Sequence, residues 1–248
     1  MRTWWLGLKS CVGYFTVFPV RFANDDNLSN PRVLGAMLFW LPWVGLGLAG
    51  VTLGVYALLM PTGWLGALIA ALAYPMLYGF IHTEALSDVA DAIYARHGGK
   101  DAYEVIKEPH VGAMGVLWMT SLLTLKTAAL AYVLYHHLWW LFAAVVLTSR
   151  LGVALLFATQ RFRSAFIEQI QRGLRRKHLI LSFFSAVLVL AFTAPFGALG
   201  LFAAGILLAY AVAKGLGRAL GFLNGDVMGA TLEIVETLLL LTGARLWL

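Results

Sequence analysis

The chain has 248 residues, 61% of them hydrophobic and only 12% charged, with a mean hydropathy of +0.81. Soluble domains carry about 25% charged residues, so a water-soluble globule is excluded, and so is disorder, which needs the opposite composition. In so apolar a chain the formal net charge of +6 points to membrane topology rather than to nucleic acid, because Lys and Arg gather on cytoplasmic loops. The single cysteine, Cys11, excludes a disulfide framework or a cysteine-based metal cluster.

Residues 1–32 read as an interfacial or re-entrant segment, with Trp4 and Trp5 suited to headgroup level. Lys9 and Arg21 interrupt its apolar runs, so a cleavable secretory signal is not expected. From Val33 to Ile81 there is no charged residue. That length predicts two crossings, over 33–60 and 64–82, broken at Pro61-Thr62-Gly63. A polar stretch, 83–110, follows. The apolar block 111–158 divides into two crossings at His136-His137, and a basic loop occupies 159–178. Apolar residues resume at Leu179, with a turn expected at Pro195-Phe196-Gly197. A mixed, Gly-rich segment, 213–231, precedes a last crossing over 232–248. The expected fold is therefore an all-α polytopic membrane helix bundle of about seven transmembrane helices in one domain, 1–248.

Charge supports this count. With the N-terminus in the cytoplasm, segments 1–32, 83–110, 159–178 and 213–231 share one side and hold fifteen of the 18 Lys and Arg residues. A miscounted crossing would scatter them. The expected location is the bacterial cytoplasmic (inner) membrane, multi-pass, with the active site facing the cytoplasm.

The carboxylates are concentrated. Six of 12 lie between Glu84 and Glu108, and Asp226, Glu233 and Glu236 form a second group. Glu84, Asp88 and Asp91, at i, i+4 and i+7, line one helical face. A merely solvated face fits poorly, because no Lys or Arg is interleaved before Arg96 and like charges at i, i+4 repel. The stripe instead suits a divalent cation. Mg²⁺ takes oxygen ligands and is usually held by one or two carboxylates plus substrate phosphates. Glu233 and Glu236 start an apolar helix, where carboxylates are costly and by default functional. Lys126, within a span, either contacts a phosphate or pairs with an acid, and Arg150 and Lys107 are further candidates to neutralise phosphate. Acids at helix ends, with bases spaced among the helices, suit phosphoryl transfer on a diphosphate better than transport, which favours acids at the bilayer midplane.

Four stretches in order carry a family resemblance. They are TVFP (Thr16–Pro19) with PWVG (Pro42–Gly45), HTEALSDVADA (His82–Ala92), KEPHVGAMG (Lys107–Gly115) and NGDVMGATLEIVE (Asn224–Glu236). They resemble the cobalamin synthase (adenosylcobinamide-GDP ribazoletransferase) family along nearly the whole chain. Glu84 stands where the family has Asp, Ala85 where it has Gly, Glu108-Pro109-His110 where it has Asp-Ser-Arg, and Asn224 where it has Thr. The resemblance implies a Mg²⁺-dependent transferase. In that reaction the ribose 3′-hydroxyl of α-ribazole, or of its 5′-phosphate, attacks the corrinoid-side phosphorus of adenosylcobinamide-GDP and GMP leaves. It implies Asp226 as a further metal ligand beside Glu84, Asp88 and Asp91, with Asp88, Asp91 and Asp226 catalytic. It places His82, Lys107, His110, Lys126, Arg150, Asn224, Gly225, Glu233 and Glu236 in substrate binding. The implied partners are the two substrates and the lipid bilayer; a homo-oligomer, or association with other cobalamin-assembly enzymes, stays open. Two rivals remain. A CDP-alcohol-type phosphotransferase would need an Arg and a following eight-residue spacing that this chain lacks. A cation-coupled membrane transporter would use the same acids as an ion site.

Overall fold

The structure, a computed structural model, describes residues 2–195 and 197–247. Among them the regular elements are all helical. They are α1 (Arg2–Phe15), α2 (Pro31–Leu59), α3 (Trp64–Leu77), α4 (Ile81–His97), α5 (Ala102–Val105), α6 (Ala113–Tyr135), α7 (Trp139–Thr159), α8 (Ala165–Gly173), α9 (Arg176–Thr193), α10 (Ala198–Leu220) and α11 (Gly225–Leu246). Six helices (α2, α6, α7, α9, α10 and α11) are long and apolar enough to cross a membrane, and α3 with α4 makes a seventh span if the pair is counted as one bent element. Leu58, Phe192 and Leu207 on these spans are 84%, 82% and 72% exposed, as suits side chains that face lipid.

The predicted spans are present, with different ends. The second crossing stops early: α3 ends at Leu77, and a 76° bend separates it from α4. Gly79 (φ 60°) and Phe80 (φ 56°) make that bend in the left-handed region, so α4 turns away carrying the acidic stripe. The mixed segment 213–231 is largely helical. α10 continues through Lys214 and Arg218, whose exposed side chains sit at its water-facing end, and stops at Gly221 (φ 91°). The last helix starts at Gly225 because the Asn224 side chain accepts a hydrogen bond from the Val227 N–H, an N-cap. The turn expected at Pro195-Phe196-Gly197 includes Phe196, which lies outside the described residues.

The bundle is built around α7 and α11, the most buried of the long helices. α11 packs against α4, α6, α7 and α10, and α2 packs against α1, α3, α7 and α8. Contacts sort the connecting segments onto two ends. At one end the Arg163 N–H donates to the Leu223 carbonyl (2.8 Å), the Val17 N–H donates to that of Leu77 (3.0 Å), and Arg96 Nη1 donates to that of Ala219 (2.6 Å). At the other end Trp64 meets Tyr135, Tyr56 meets His137, and Trp140 meets Trp247. The four charge-bearing segments of the sequence thus share one end. Two short helices lie across that end. α1 buries Leu6, Gly7 and Cys11, and α8 buries Ile167, Ile170 and Gly173 while exposing Glu168 and Arg172.

Candidate active site

The two acidic stretches meet because α4 and α11 run antiparallel in close contact. The Tyr78 hydroxyl, just before α4, donates to Glu233 Oε1 (2.6 Å), and Thr83 lies 3.4 Å from the same oxygen. One turn outward Ala85 faces Gly229. A Cβ on Gly229 would stand 2.6 Å from that of Ala85, so this approach requires glycine. One turn further out come Asp88 on α4 and Asp226 on α11. Burial, followed by the charges of Asp226, Glu84 and Asp91, pushes the Asp88 carboxyl up to about 6. Asp88 thus lies within the field of the other three carboxylates, and Asp226 within that of Glu84. Among the described residues no Lys or Arg pairs with any of them.

Their surroundings differ. Glu84 is exposed, while Asp88, Asp91 and Asp226 are half-buried. Both Asp91 oxygens are engaged: they accept from the N–H groups of Gly112 (2.6 Å) and Gly115 (2.7 Å). Asp91 thereby caps the start of α6, satisfying donors that a helix leaves open. Asn224 caps α11 with its Oδ1 and donates from Nδ2 to Asp226 Oδ2 (2.7 Å), which orients that carboxylate. Gly225 is exposed, with open space where a side chain would be. Lys107 is exposed, paired to Glu104 (3.0 Å), and lies over the Tyr103 ring. His110 is exposed on the segment that leads to α6.

Lys126, Arg150, Glu233 and Glu236 come together elsewhere. Each is 1–2% exposed. Lys126 Nζ lies 2.8 Å from Glu233 Oε2 and 2.6 Å from Glu236 Oε2, and Arg150 pairs with Glu236. Tyr74 and Ser149 also donate to Glu236. At 1.5 Å per residue this cluster lies about 12–17 Å along α11 from its start, deep in the bundle. Two cations meet two anions, so it is charge-balanced. Removing one member of such a buried set costs about 3–5 kcal/mol. The acid-pairing reading of Lys126 is the one this geometry matches. The sequence reading missed Tyr74, Tyr78, Thr83 and Ser149 as partners. Tyr74 and Tyr78, at i, i+4 in an uncharged span, were the available signal. Gly45, the last residue of the PWVG motif, has no Cβ and so leaves room for the Arg150 side chain.

A metal can be tested against this donor set. Among the described residues no three His, Cys, Asp or Glu side chains are placed to cage an ion by themselves. The set is nonetheless all-oxygen, anionic and without basic partners. That fits a hard cation shared between one or two carboxylates and the oxygens of a diphosphate.

The family model for cobalamin-5-phosphate synthase matches residues 7–244. The chain belongs to this family. Among its relatives is an adenosylcobinamide-GDP ribazoletransferase of Chlorobium phaeobacteroides, 29% identical over 97% of this chain and 98% of the relative. A protein of the same name from Pseudomonas syringae pv. syringae is 29% identical over 99% and 100%, and one from Brevibacillus brevis is 30% identical over 95% and 96%. No solved structure is significantly similar. Three of the quoted motifs fall on α4, on the entry to α6 and on α11, the elements that build the site, while TVFP follows α1 and PWVG lies within α2.

Proposed function

We propose that this protein is an adenosylcobinamide-GDP ribazoletransferase of the bacterial inner membrane, Mg²⁺-dependent, with its carboxylates facing the cytoplasm. The observation that carries the reading is the meeting of Asp88 and Asp226, from distant stretches of sequence, on facing turns of α4 and α11. One or two of Glu84, Asp88 and Asp226, together with diphosphate oxygens of the substrate, would hold the metal. Mg²⁺, when bound, supplies positive charge to diphosphate oxygens. Asn224 fixes the Asp226 carboxylate, and Asp91 fixes the start of α6 beside α4. One free carboxylate of the group accepts the proton of the attacking ribose hydroxyl. The oxygen bridging the two phosphorus atoms leaves with GMP, and the new phosphodiester joins the corrinoid arm to the nucleoside. An ion-transport reading is less well supported, because the acids deep in the bundle are already neutralised by Lys126 and Arg150.

The test uses full-length protein in lipid nanodiscs, given adenosylcobinamide-GDP and α-ribazole. GMP release in step with corrinoid product is expected, dependent on Mg²⁺ and lost in Asp88→Ala protein that still elutes as a folded species. No product at any Mg²⁺ concentration, or normal turnover by Asp88→Ala, would overturn the assignment.

A further inference from the structure

A cavity of about 140 Å³ lies beneath α1 and α8, against the start of α11. Its wall is mostly apolar, and Tyr14, Phe15, Phe157 and Phe166 present rings to it. Tyr14 and Phe166 stack, with centroids 5.6 Å apart and planes 19° from parallel. Besides Tyr14, the ionisable side chains that line it are Asp226 and His82. His82 is only 7% exposed, and its ring lies 5.9 Å from that of Phe15, nearly parallel. Among the described residues the His82 imidazole has no hydrogen-bond partner. Its ring nitrogens are not sealed within the protein, so they stay accessible from the cavity, where a polar atom of a ligand can meet them.

We infer that this cavity receives the planar base of the nucleoside substrate, and that His82 hydrogen-bonds the base's free ring nitrogen. The inference rests on the transferase reading and says which part of which substrate lies there. The base of α-ribazole is a dimethylated benzimidazole. It is flat and apolar along its methylated edge, with one in-plane acceptor left once the other nitrogen bonds ribose. A neutral imidazole offers one N–H donor in either tautomer, and ring faces stack on a flat base. Guanine, the other base in the reaction, presents several donors and acceptors along its edges, and an apolar wall would leave most of them unpaired. A corrin ring is too large. With the base beneath α1 and α8, the ribose leaves the cavity past Asp226, toward the carboxylates that act on its hydroxyl.

Val153→Phe fills the cavity from α7, and Ile170→Phe fills it from α8 if the core variant does not insert. Either is expected to raise KM for α-ribazole about tenfold or more, the scale of a pocket misfit, with KM for adenosylcobinamide-GDP little changed. Equilibrium dialysis of α-ribazole alone should show the same weakening. His82→Phe keeps a ring but removes the donor. It should weaken the benzimidazole nucleoside and leave a dimethylindole nucleoside, which has no acceptor nitrogen, unaffected. A KM rise for adenosylcobinamide-GDP alone would overturn the inference in favour of guanosine, and unchanged KM for both substrates would overturn it outright. If the wild-type protein makes no product, the transferase reading fails instead. Turnover with an unmoved KM sinks the base pocket alone.

Discussion

Asp88 is held beside three other carboxylates without a basic partner, and its stability effect has a definite sign. Burial and those neighbouring charges push its carboxyl from the ordinary 3.8 up to about 6 in the folded protein. Between those values the folded chain binds the extra proton, so stability falls as pH rises through the window and the loss is complete above it. Asp88→Asn removes the charge while keeping the shape. In Mg²⁺-free detergent it is expected to raise stability by about 1 kcal/mol at about pH 8, a figure discounted for the partial exposure of the group. At about pH 3, below both values, it should change little, because Asp88 is then mostly protonated in both states. Thermal unfolding at the two pH values checks this, and a less stable variant at the higher pH would contradict it. At this scale the sequence disclosed part of the site. The spacing of Glu84, Asp88 and Asp91 put them on one helical face, as α4 has them. It could not disclose that Asp91 is taken up by Gly112 and Gly115, because those donors lie 21 and 24 residues away.

At the scale of elements, the site depends on how closely α4 and α11 approach. Gly229 sets that distance against Ala85. Gly229→Val should push the helices apart where they carry Asp88 and Asp226. A misplacement of about 1 Å in such a site can cost about 10²-fold in rate. The expected result is a large fall in kcat with a smaller change in KM, in protein that remains inserted. Steady-state kinetics on the nanodisc-embedded variant measure both, and an unchanged kcat would show that the contact is not limiting. The elements themselves were largely readable, since uncharged runs of the right length became helices. Their ends were less so. The bend at Gly79-Phe80 falls inside the crossing expected over 64–82, and no periodicity marks it. Hydropathy alone starts the last crossing at 232, whereas the Asn224 N-cap starts α11 seven residues earlier, at 225.

For the whole molecule, the two ends of the bundle carry different chemistry, and their sidedness can be measured. In a Cys11→Ser background, Lys107→Cys should react with a membrane-impermeant maleimide only in inverted vesicles, and His137→Cys only in right-side-out spheroplasts. The reverse pattern would put the carboxylates outside the cytoplasm. Positive charge along the chain made the grouping of segments readable, because each loop declares its side locally. The interior was not readable in the same way. Lys126 finds Glu233 across 107 positions and Arg150 finds Glu236 across 86, and such pairings are set by packing. The lateness of those partners bears on biogenesis. α6 and α7 leave the ribosome with their cations before either neutralising acid exists, and a lone Lys or Arg at mid-helix opposes insertion by about 2.5–3.5 kcal/mol. The half-built bundle must shelter two unmatched charges until the final helix arrives. α11 therefore acts as the keystone of assembly, and the acidic group near its start is presented only when the rest of the chain is in place.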